Sequence, residues 1–457
     1  MSKLWGARFD KQSDKLADKF TFSIDYDYRL AMYDVVGSIA HAQMLGKQGI
    51  IPKADAAKIV SGLNKILVQI QSGKFTHDLK AEDIHTDIQN KLKAAIGKPA
   101  DKLHTARSRN DQVVLDVKLY ALDHILHLAV GIENLQKSIL LFAKQNTDVI
   151  IPGYTHLQQA QVVLLAHHML AYVEMLERDK SRLEDCFNRT NVMPLGSCAL
   201  SGTSLKTDRH QVAKLLGFAQ VAANSMDVVS DRDFIIELIA DCSIIAMHLS
   251  RISEDLILWA TKEFNFIDID SSFCTGSSIM PHKKNPDVLE LMRGTTGKTF
   301  GHLMEVLVLL KGLPLSYNRD LQLDKPPLFD TVETTQLSLD LLTKLFLGLK
   351  VKKQEVAKHI KDESFFCVDV MDYLVKKGVS YRDAHDILGK MVKECLDQGV
   401  AISSLSTAQL KKYHPLLNDD VKNLFNPQTS VRIKTSFGST NPDLVKRQLD
   451  IWTKKLK

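Results

Sequence analysis

The chain has 457 residues, of which 45% are hydrophobic and 25% are charged, a composition that excludes a disordered protein. Its 59 Lys and Arg against 54 Asp and Glu leave a net charge of +5, and no block of like charges indicates a nucleic-acid-binding tail. A charged N-terminus and the lack of a long apolar run argue against a signal peptide and a membrane span. Six scattered cysteines suggest neither a zinc site nor disulfides. We therefore expect a cytoplasmic protein that binds neither nucleic acid nor membranes.

The spacing of apolar residues predicts helices along the whole chain. Short helices are predicted near the N-terminus, at 28–48, 53–72 and 81–96. From 111 to 148 apolar residues recur in steps of three and four, which predicts one helix several times the average length. The same pattern predicts further long helices at 157–189, 234–259, 287–311 and 328–349. After residue 363 shorter helices return, separated by Gly378, Gly389, Gly399 and Pro415.

These elements predict an all-α protein with little β-structure and three helical segments. The segments are an N-terminal domain at 1–110, a bundle of long helices at 111–362 and a small C-terminal domain at 363–457. An apolar stripe needs neighbours along its whole length, so we expect other subunits to extend the bundle. A monomeric solenoid would instead need internal repeats of about 20–50 residues, which the sequence lacks.

The most informative polar segment is CTGSSIMPHKKNP, at residues 274–286, between two predicted helices. Its hydroxyls, its glycine and the lysines that follow are suited to binding an anion or lowering the pKa of a hydroxyl on a rigidly held loop. The alternative interpretation is a polar linker with solvated lysines.

Two further clusters lie at predicted helix entries. LHTARSRND, at 103–111, combines two arginines, two hydroxyls and an amide, a set suited to carboxylate or phosphate. GYTHLQ, at 153–158, contains a histidine that is either a helix cap or a catalyst. Phosphate-loop, dinucleotide and zinc-protease motifs are missing from the sequence.

Together these segments resemble a known enzyme family. GSSIMPHKKNP, at 276–286, is similar to the signature loop of the aspartase/fumarase superfamily, whose members release fumarate. HTARSRNDQ (104–112), GYTHLQ (153–158) and YNRDLQLDK (317–325) resemble the argininosuccinate lyase family in particular. The resemblance to this family extends to three further segments: KLWGARFDK (3–11), EDIHT (82–86) and DYLVKKGVSYRDAH (372–385). δ-Crystallin belongs to the same family.

The resemblance implies three mostly helical domains and a homotetramer with a core of about 20 helices, each active site being shared between three subunits. It implies cleavage of argininosuccinate to arginine and fumarate by β-elimination, the last step of arginine biosynthesis. A base removes a proton next to a carboxylate, and an acid protonates the departing guanidine nitrogen. Acid, base and hydrogen-bond donors suffice, so no metal ion and no organic cofactor is expected.

Residue roles follow from the match to the family motifs. The catalytic positions are His156, Ser277, Lys283 and Glu290. Ser277 is favoured as the base, with Lys283 stabilising its alkoxide and Glu290 pairing with His156. The substrate-binding positions are Ser23, Asp27, Arg109, Asn110, Thr155, Arg232, Asn285, Tyr317, Gln322 and Lys325. For Arg232 a structural ion pair is the alternative, and Asp83 and His85 either support the loop near Asn110 or contact the substrate.

Some positions depart from the family pattern. Ala106 replaces a usual Gly, His282 a usual Gln and Leu323 a frequent Glu, while Cys198 and Ser201 replace small residues. None of these removes a group with an assigned chemical role, although His282 lies in the mobile loop. Adenylosuccinate lyase, fumarase and aspartase share the loop, so another fumarate-releasing reaction remains an alternative, as does a catalytically silent crystallin-like structural protein.

Overall fold

The computed structural model describes residues 13–457, so the KLWGARFDK motif lies outside the described residues. This part of the chain forms eighteen α-helices: α1 Lys15–Thr21, α2 Ile24–Asp27, α3 Ala31–Lys47, α4 Lys53–Gln71, α5 Ile84–Ile96, α6 Arg109–Gln145, α7 Leu165–Thr190, α8 Arg209–Leu216, α9 Ser225–Ser230, α10 Asp233–Ala260, α11 Asp287–Leu310, α12 Lys325–Gly348, α13 Lys353–Lys358, α14 Cys367–Lys376, α15 Tyr381–Gln398, α16 Thr407–Tyr413, α17 Pro427–Arg432 and α18 Pro442–Lys455. The predicted all-α fold class is confirmed.

Six short strands make three two-stranded sheets within the described residues. They are β1 Ile150–Thr155, β2 Gln158–Leu164, β3 Val192–Met193, β4 Gln220–Val221, β5 Ile267–Asp268 and β6 Lys350–Val351. β1 pairs with β2 and β5 with β6 in antiparallel fashion, whereas β3 and β4 are parallel.

One predicted boundary is wrong. The helix predicted from residue 157 begins at Leu165, because 158–164 form β2 of a hairpin. β-branched residues favour this local structure: Ile151 pairs with Val163 across the hairpin, and Ile150 pairs with Leu164. The histidine of GYTHLQ therefore lies in a hairpin turn and not at a helix entry.

The other four long-helix predictions are confirmed, with ends within a few residues. Every apolar position of the predicted α6 stripe is buried, as is every position of the α10 stripe. Burial of such a stripe supplies most of the stability of a long helix, since propensity alone is weak. The buried stripe residues are Val114, Val117, Ala121, Ile125, Leu128, Ile132, Leu135, Ile139 and Phe142 on α6, and Ile235, Leu238, Cys242, Ile245, Leu249, Ile252, Leu256 and Trp259 on α10.

The chain divides into two compact units. Unit 1 contains residues up to Val130 together with Asp179–Ile245 and Thr295–Gln336, and unit 2 contains Gly131–Arg178, Ala246–Gly294 and Leu337–Lys457. Each of the five long helices contributes residues to both units. The division into three segments along the sequence stays a prediction.

Unit 2 includes the C-terminal helices, which enclose a hydrophobic cluster of their own. Val370 and Leu374 of α14 pack there with Leu388 and Met391 of α15. None of the helices within residues 13–457 combines the length and apolarity that crossing a membrane requires.

Candidate active site

The signature loop, residues 275–285, is closed at its base by paired hydrogen bonds in unit 2. The Thr275 amide donates to the Asn285 carbonyl at 3.0 Å, and the Asn285 amide donates to the Thr275 carbonyl at 2.8 Å. The Asp287 carboxylate accepts from the Thr275 amide at 3.1 Å and also from its hydroxyl. Lys284 forms an ion pair with Asp268 at 3.1 Å. The residues between the two ends therefore project from a fixed base.

Inside this loop, two backbone amides point at the hydroxyl oxygen of Ser277. The amides of Ile279 and Met280 donate to Ser277 Oγ at 3.3 and 3.1 Å. Preorganised N–H donors stabilise negative charge on the oxygen that they face. Ser277 is half-buried, whereas the neighbouring Ser278 is exposed. The geometry thus makes the oxygen of Ser277 the one better able to carry charge.

Lys283, Asn285 and Glu290 line one cavity of about 550 Å³ in unit 2. Glu290 lies in the first turn of α11, where the helix dipole favours a carboxylate. The ammonium of Lys283 and the amide of Asn285 are donors suited to a carboxylate ligand. The structure therefore brings together three of the residues predicted from the signature loop and the helix that follows it.

His156 occupies the turn of the β1–β2 hairpin. His156 and Leu157 form a two-residue turn between the paired residues Thr155 and Gln158, and their φ angles of 55° and 57° are both left-handed. This is the type I′ geometry, which Asn and Gly adopt most readily. A non-glycine residue in this region is strained, and such strain occurs often at functional sites.

The hairpin turn borders a cavity of about 910 Å³ in unit 2. His156 lines it together with Tyr154 and Trp259, whereas Glu290 lines the smaller cavity. Across residues 13–457, neither a hydrogen bond nor an ion pair joins His156 to Glu290. Their pairing therefore stays a prediction.

In unit 1, the Arg109 side chain joins the start of α6 to the EDIHT segment. Its guanidinium lies 3.1 Å from the Asp83 carboxylate and donates to the Thr86 hydroxyl at 3.2 Å and to Gln112 Oε1 at 2.7 Å. The neighbouring Asn110 donates its side-chain amide to the Ala199 carbonyl at 3.0 Å. Arg109 thus organises the region around Asn110 even before any substrate contact.

Ser23 and Asp27 form a buried pair at the start of unit 1. The Ser23 hydroxyl donates to Asp27 Oδ2 at 2.5 Å, and the Ile84 amide donates to Asp27 Oδ1 at 3.1 Å. Burial raises the pKa of Asp27, while the charges of His85 and Lys325 act in the opposite direction. The EDIHT segment is therefore in direct contact with a predicted substrate residue.

The YNRDLQLDK segment supplies a second buried group in unit 1. Gln322 donates to the Thr21 carbonyl at 2.9 Å, and Lys325 Nζ lies 3.9 Å from Asp324. Arg232 bonds to Asp324 and has no exposed side-chain surface, so in this chain it forms the structural ion pair that was its alternative role. Burial raises the pKa of Tyr317, which keeps its phenol protonated.

A buried charged triad lies beneath the EDIHT segment. His85 Nδ1 is 3.1 Å from Asp34 and 3.2 Å from Asp116, and all three side chains are buried. Although burial disfavours the charged imidazole, the hydrogen bonds to Asp116 and Asp34 raise the pKa of His85 to about 10. Burial, together with the charge of Asp34, raises the pKa of Asp116 to about 7. Of the two roles left open for His85, the structure supports that of holding the loop.

Among the described residues, this triad also has the composition of a possible metal site. One ring nitrogen and two carboxylate oxygens lie within 4.8 Å of one another. A protonated His85 offsets the charge of one carboxylate, and Asp116, with a pKa of about 7, holds a proton part of the time at neutral pH. Asp34 and Asp116 could not be found from the sequence, because both are isolated acidic residues on helices with no motif around them.

Two of the departures from the family pattern share one backbone conformation. Ala106 and Cys198 have φ angles of 55° and 54°, and the Cys198 thiol donates to the Ala106 carbonyl at 3.4 Å. A glycine adopts this conformation without strain, which accounts for the usual glycine at the Ala106 position. His282 and Leu323 are exposed, and nothing in the structure assigns them a contact.

The long-helix fold and the loop that holds Ser277 are those of a fumarate-releasing type of lyase. A family model described as "Lyase" matches residues 7–301, and a model of the argininosuccinate lyase C-terminal region matches residues 366–432. A solved structure of EDDS lyase in complex with formate has a TM-score of 0.83 at 25% identity, over 98% of this chain and 91% of that one.

Curated relatives show which family of lyases the chain belongs to. The chain is 50% identical to the argininosuccinate lyase of Geotalea daltonii and 48% identical to that of Geobacter metallireducens, in both cases over 98% of either protein. The chain belongs to the argininosuccinate lyase family. The resemblance predicted from the motifs is confirmed.

Proposed function

We propose that the chain catalyses the reversible cleavage of argininosuccinate to arginine and fumarate. The observation that carries the proposal is the pair of backbone amides directed at Ser277 Oγ within a closed loop that also holds Lys283. The near-complete match to relatives named argininosuccinate lyase supports the choice of substrate.

Ser277 acts as the base in this proposal. It removes the proton from the carbon next to a carboxylate, and the electron pair left behind expels the guanidine nitrogen as the C–N bond breaks. A serine hydroxyl is an ordinary weak acid, so its alkoxide needs stabilisation. The amides of Ile279 and Met280 supply it together with the charge of Lys283, and closure of the loop excludes water.

His156 supplies the proton to the departing nitrogen. Glu290 pairs with this imidazole and orients it toward the leaving nitrogen. Since the two residues are not paired within one chain, the pair forms between subunits. The hairpin of one subunit and the α11 helix of another then contribute to the same active site.

A homotetramer fits the exposed apolar face of α11. Leu291, Phe300, Met304 and Val308 on this helix are 48–69% exposed in the single chain. Added side-chain atoms at Gly294, Gly297 and Gly301 would meet nothing within 4 Å, so another helix can approach closely there. Apolar residues at this spacing are typical of a helix packed in a bundle.

Substrate recognition requires donors for carboxylates and acceptors for cationic groups. Asn285, Thr155 and Asn110 offer hydrogen bonds, Arg109 and Lys325 offer positive charge, and Asp27 offers a carboxylate. The reaction needs no redox step and no electron sink, so the side chains suffice as acid and base. We place the protein in the cytoplasm, where the substrate is a free metabolite.

The test is to add the purified protein separately to argininosuccinate, adenylosuccinate, malate and aspartate, and to follow fumarate by its ultraviolet absorbance. The proposal predicts fumarate and an equal amount of arginine from argininosuccinate alone. Fumarate only from one of the other three substrates would overturn the proposal, as would none from any.

A further inference from the structure

Asp111 is a buried carboxylate of unit 1 that the proposed mechanism does not use. It lies in the first turn of α6 and has no exposed surface. Its two oxygens accept three backbone hydrogen bonds: Oδ1 from the Ser108 amide at 2.9 Å, and Oδ2 from the Gly196 and Cys198 amides at 3.0 and 2.8 Å. Burial raises the pKa of Asp111, while these three amides lower it, and the result is about 6. The carboxylate is therefore ionised at neutral pH and joins two segments that are distant in the sequence.

Arg209 binds carbonyl groups of the same segment, residues 194–198. Its guanidinium donates to the carbonyls of Leu195 at 3.0 Å and Pro194 at 3.2 Å, and to the Ser197 hydroxyl at 3.2 Å. Two amides of the 194–198 segment thus bond to an anion, and two of its carbonyls bond to a cation. Charged partners make hydrogen bonds about twice as strong as neutral ones.

Gly196 is enclosed between these two charged residues. Its φ of +91° is left-handed, and a Cβ atom there would lie 2.9 Å from Arg209 Cγ. Cys198 is also left-handed, a strained conformation for a residue with a side chain. Such a conformation persists only where the surroundings fix it, and the carboxylate of Asp111 is the group that binds its amide.

The next residue along the segment contacts a predicted substrate residue. The Ala199 carbonyl accepts the side-chain amide of Asn110 at 3.0 Å. Asn110 in turn precedes Asp111 directly in the chain. The position of the Ala199 carbonyl, and with it the orientation of the Asn110 amide, therefore depends on the amides that Asp111 holds.

We infer that Asp111 is a positioning residue that orients Asn110 for the substrate by holding the backbone amides of Gly196 and Cys198. The inference rests on the proposed function, since Asn110 is a substrate residue only there. Loss of the Asp111 contacts should therefore weaken substrate binding, but only in a protein that still contains Asn110.

The test is a double-mutant cycle with Asp111→Asn and Asn110→Ala, read as KM and kcat for argininosuccinate. The asparagine keeps the size of Asp111 but directs an NH₂ group at backbone donors, so at least one of the three contacts is lost. Asp111→Asn should raise KM about tenfold, the affinity that one well-made hydrogen bond supplies, with a much smaller change in kcat. In the double variant KM should be no higher than in Asn110→Ala, because both changes remove the same interaction.

The inference would be overturned if the two substitutions multiplied each other's effect on KM in the double variant. It would also be overturned if Asp111→Asn left KM unchanged. Asp369→Asn is the matched control, because Asp369 is an equally buried carboxylate that accepts from Ser430 at 2.5 Å and from Lys434 in unit 2. It should lower the melting temperature and leave KM unchanged. If Asp111→Asn fails to fold, Arg209→Lys replaces it in the cycle, with the same expected coupling to Asn110.

The wild-type protein is measured in the same assay. Absence of fumarate from the wild type would overturn the proposed function and this inference with it. If the wild type is active but the two substitutions multiply each other's effect on KM, only the role of Asp111 is overturned.

Discussion

Thr275 and Asn285 bond to each other through both of their backbone amides, at 3.0 and 2.8 Å, and so fix the two ends of the signature loop. The Thr275 side chain adds a hydrogen bond to Asp287, the first residue of α11. The loop that contains Ser277 is thus anchored to the helix that contains Glu290.

The Thr275 hydroxyl offers a direct test of this anchoring. Thr275→Val keeps the side-chain shape and removes the bond to Asp287, so we expect kcat to fall about three- to tenfold and hydrogen exchange in the loop to become faster. Ser272→Ala, which removes an exposed hydroxyl bonded to Asp270, is the control and should change neither. Unaltered kcat and exchange in Thr275→Val would show that the bond does not restrain the loop.

Sharing of active sites between subunits predicts complementation. Homotetramers of His156→Asn and of Ser277→Ala should both be inactive. Tetramers that contain both variant chains should recover activity, because some sites receive an intact His156 from one subunit and an intact Ser277 from another. The measurement is fumarate formation by co-expressed, doubly tagged tetramers. Inactive hybrids of verified composition would mean that both residues act from the same chain.

The Asp34–His85–Asp116 triad predicts a pH dependence of stability. The pKa of His85 is raised to about 10, above the ordinary value of 6.5. A raised pKa means that the folded state holds the proton more tightly, so this contribution is complete below pH 6.5 and is lost as the pH rises through 10. The pKa of Asp116 is also raised, to about 7. Its contribution to stability is therefore also lost as the pH rises, but at lower pH than that of His85.

His85→Gln should therefore destabilise the protein by about 3–5 kcal/mol at neutral pH, the usual result of removing one partner from a buried ion pair. The difference from the wild type should shrink between pH 7 and 10 in urea unfolding. His41→Gln is the control: burial lowers the pKa of His41 to about 3, so this ring is neutral throughout that range. A constant difference between wild type and His85→Gln would contradict the assigned protonation.

The strained hairpin turn predicts a stabilising substitution. Leu157 is 75% exposed and left-handed, so Leu157→Gly loses little packing and relieves about 1 kcal/mol of strain. The melting temperature should rise by about 1–2 °C. Leu157→Ala, which keeps the strain, should show no such gain. A lower melting temperature for the glycine variant would indicate that the leucine side chain packs in the assembled protein.

Features with a regular period were predictable from the sequence, whereas long-range contacts were not. The α6 stripe was predictable because each buried residue follows the last by three or four positions. The β1–β2 hairpin was missed because its turn is His156-Leu157 and not the Asn-Gly pair that indicates a type I′ turn. The same turn explains why His156 was assigned to a helix entry.

The candidate site shows the same limit. Ser277, Lys283 and Asn285 lie in one continuous motif, so the sequence alone could predict them as site residues. Asp111 binds amides 85 and 87 residues away, and no local pattern reports such a contact. Arg232 could be assigned to the substrate or to an ion pair, and only its burial beside Asp324 favours the latter.

The proposed role of Ser277 as the base is tested by comparing fumarate release from argininosuccinate by Ser277→Ala, Ser278→Ala and the wild type. Both variants remove one hydroxyl from adjacent residues of the same loop, but only Ser277 Oγ accepts the amides of Ile279 and Met280. We expect kcat to fall about 10²–10⁴-fold in Ser277→Ala, the range of general acid–base catalysis, and turnover to stay near the wild-type value in Ser278→Ala. Full activity of Ser277→Ala would show that Ser277 is not the base.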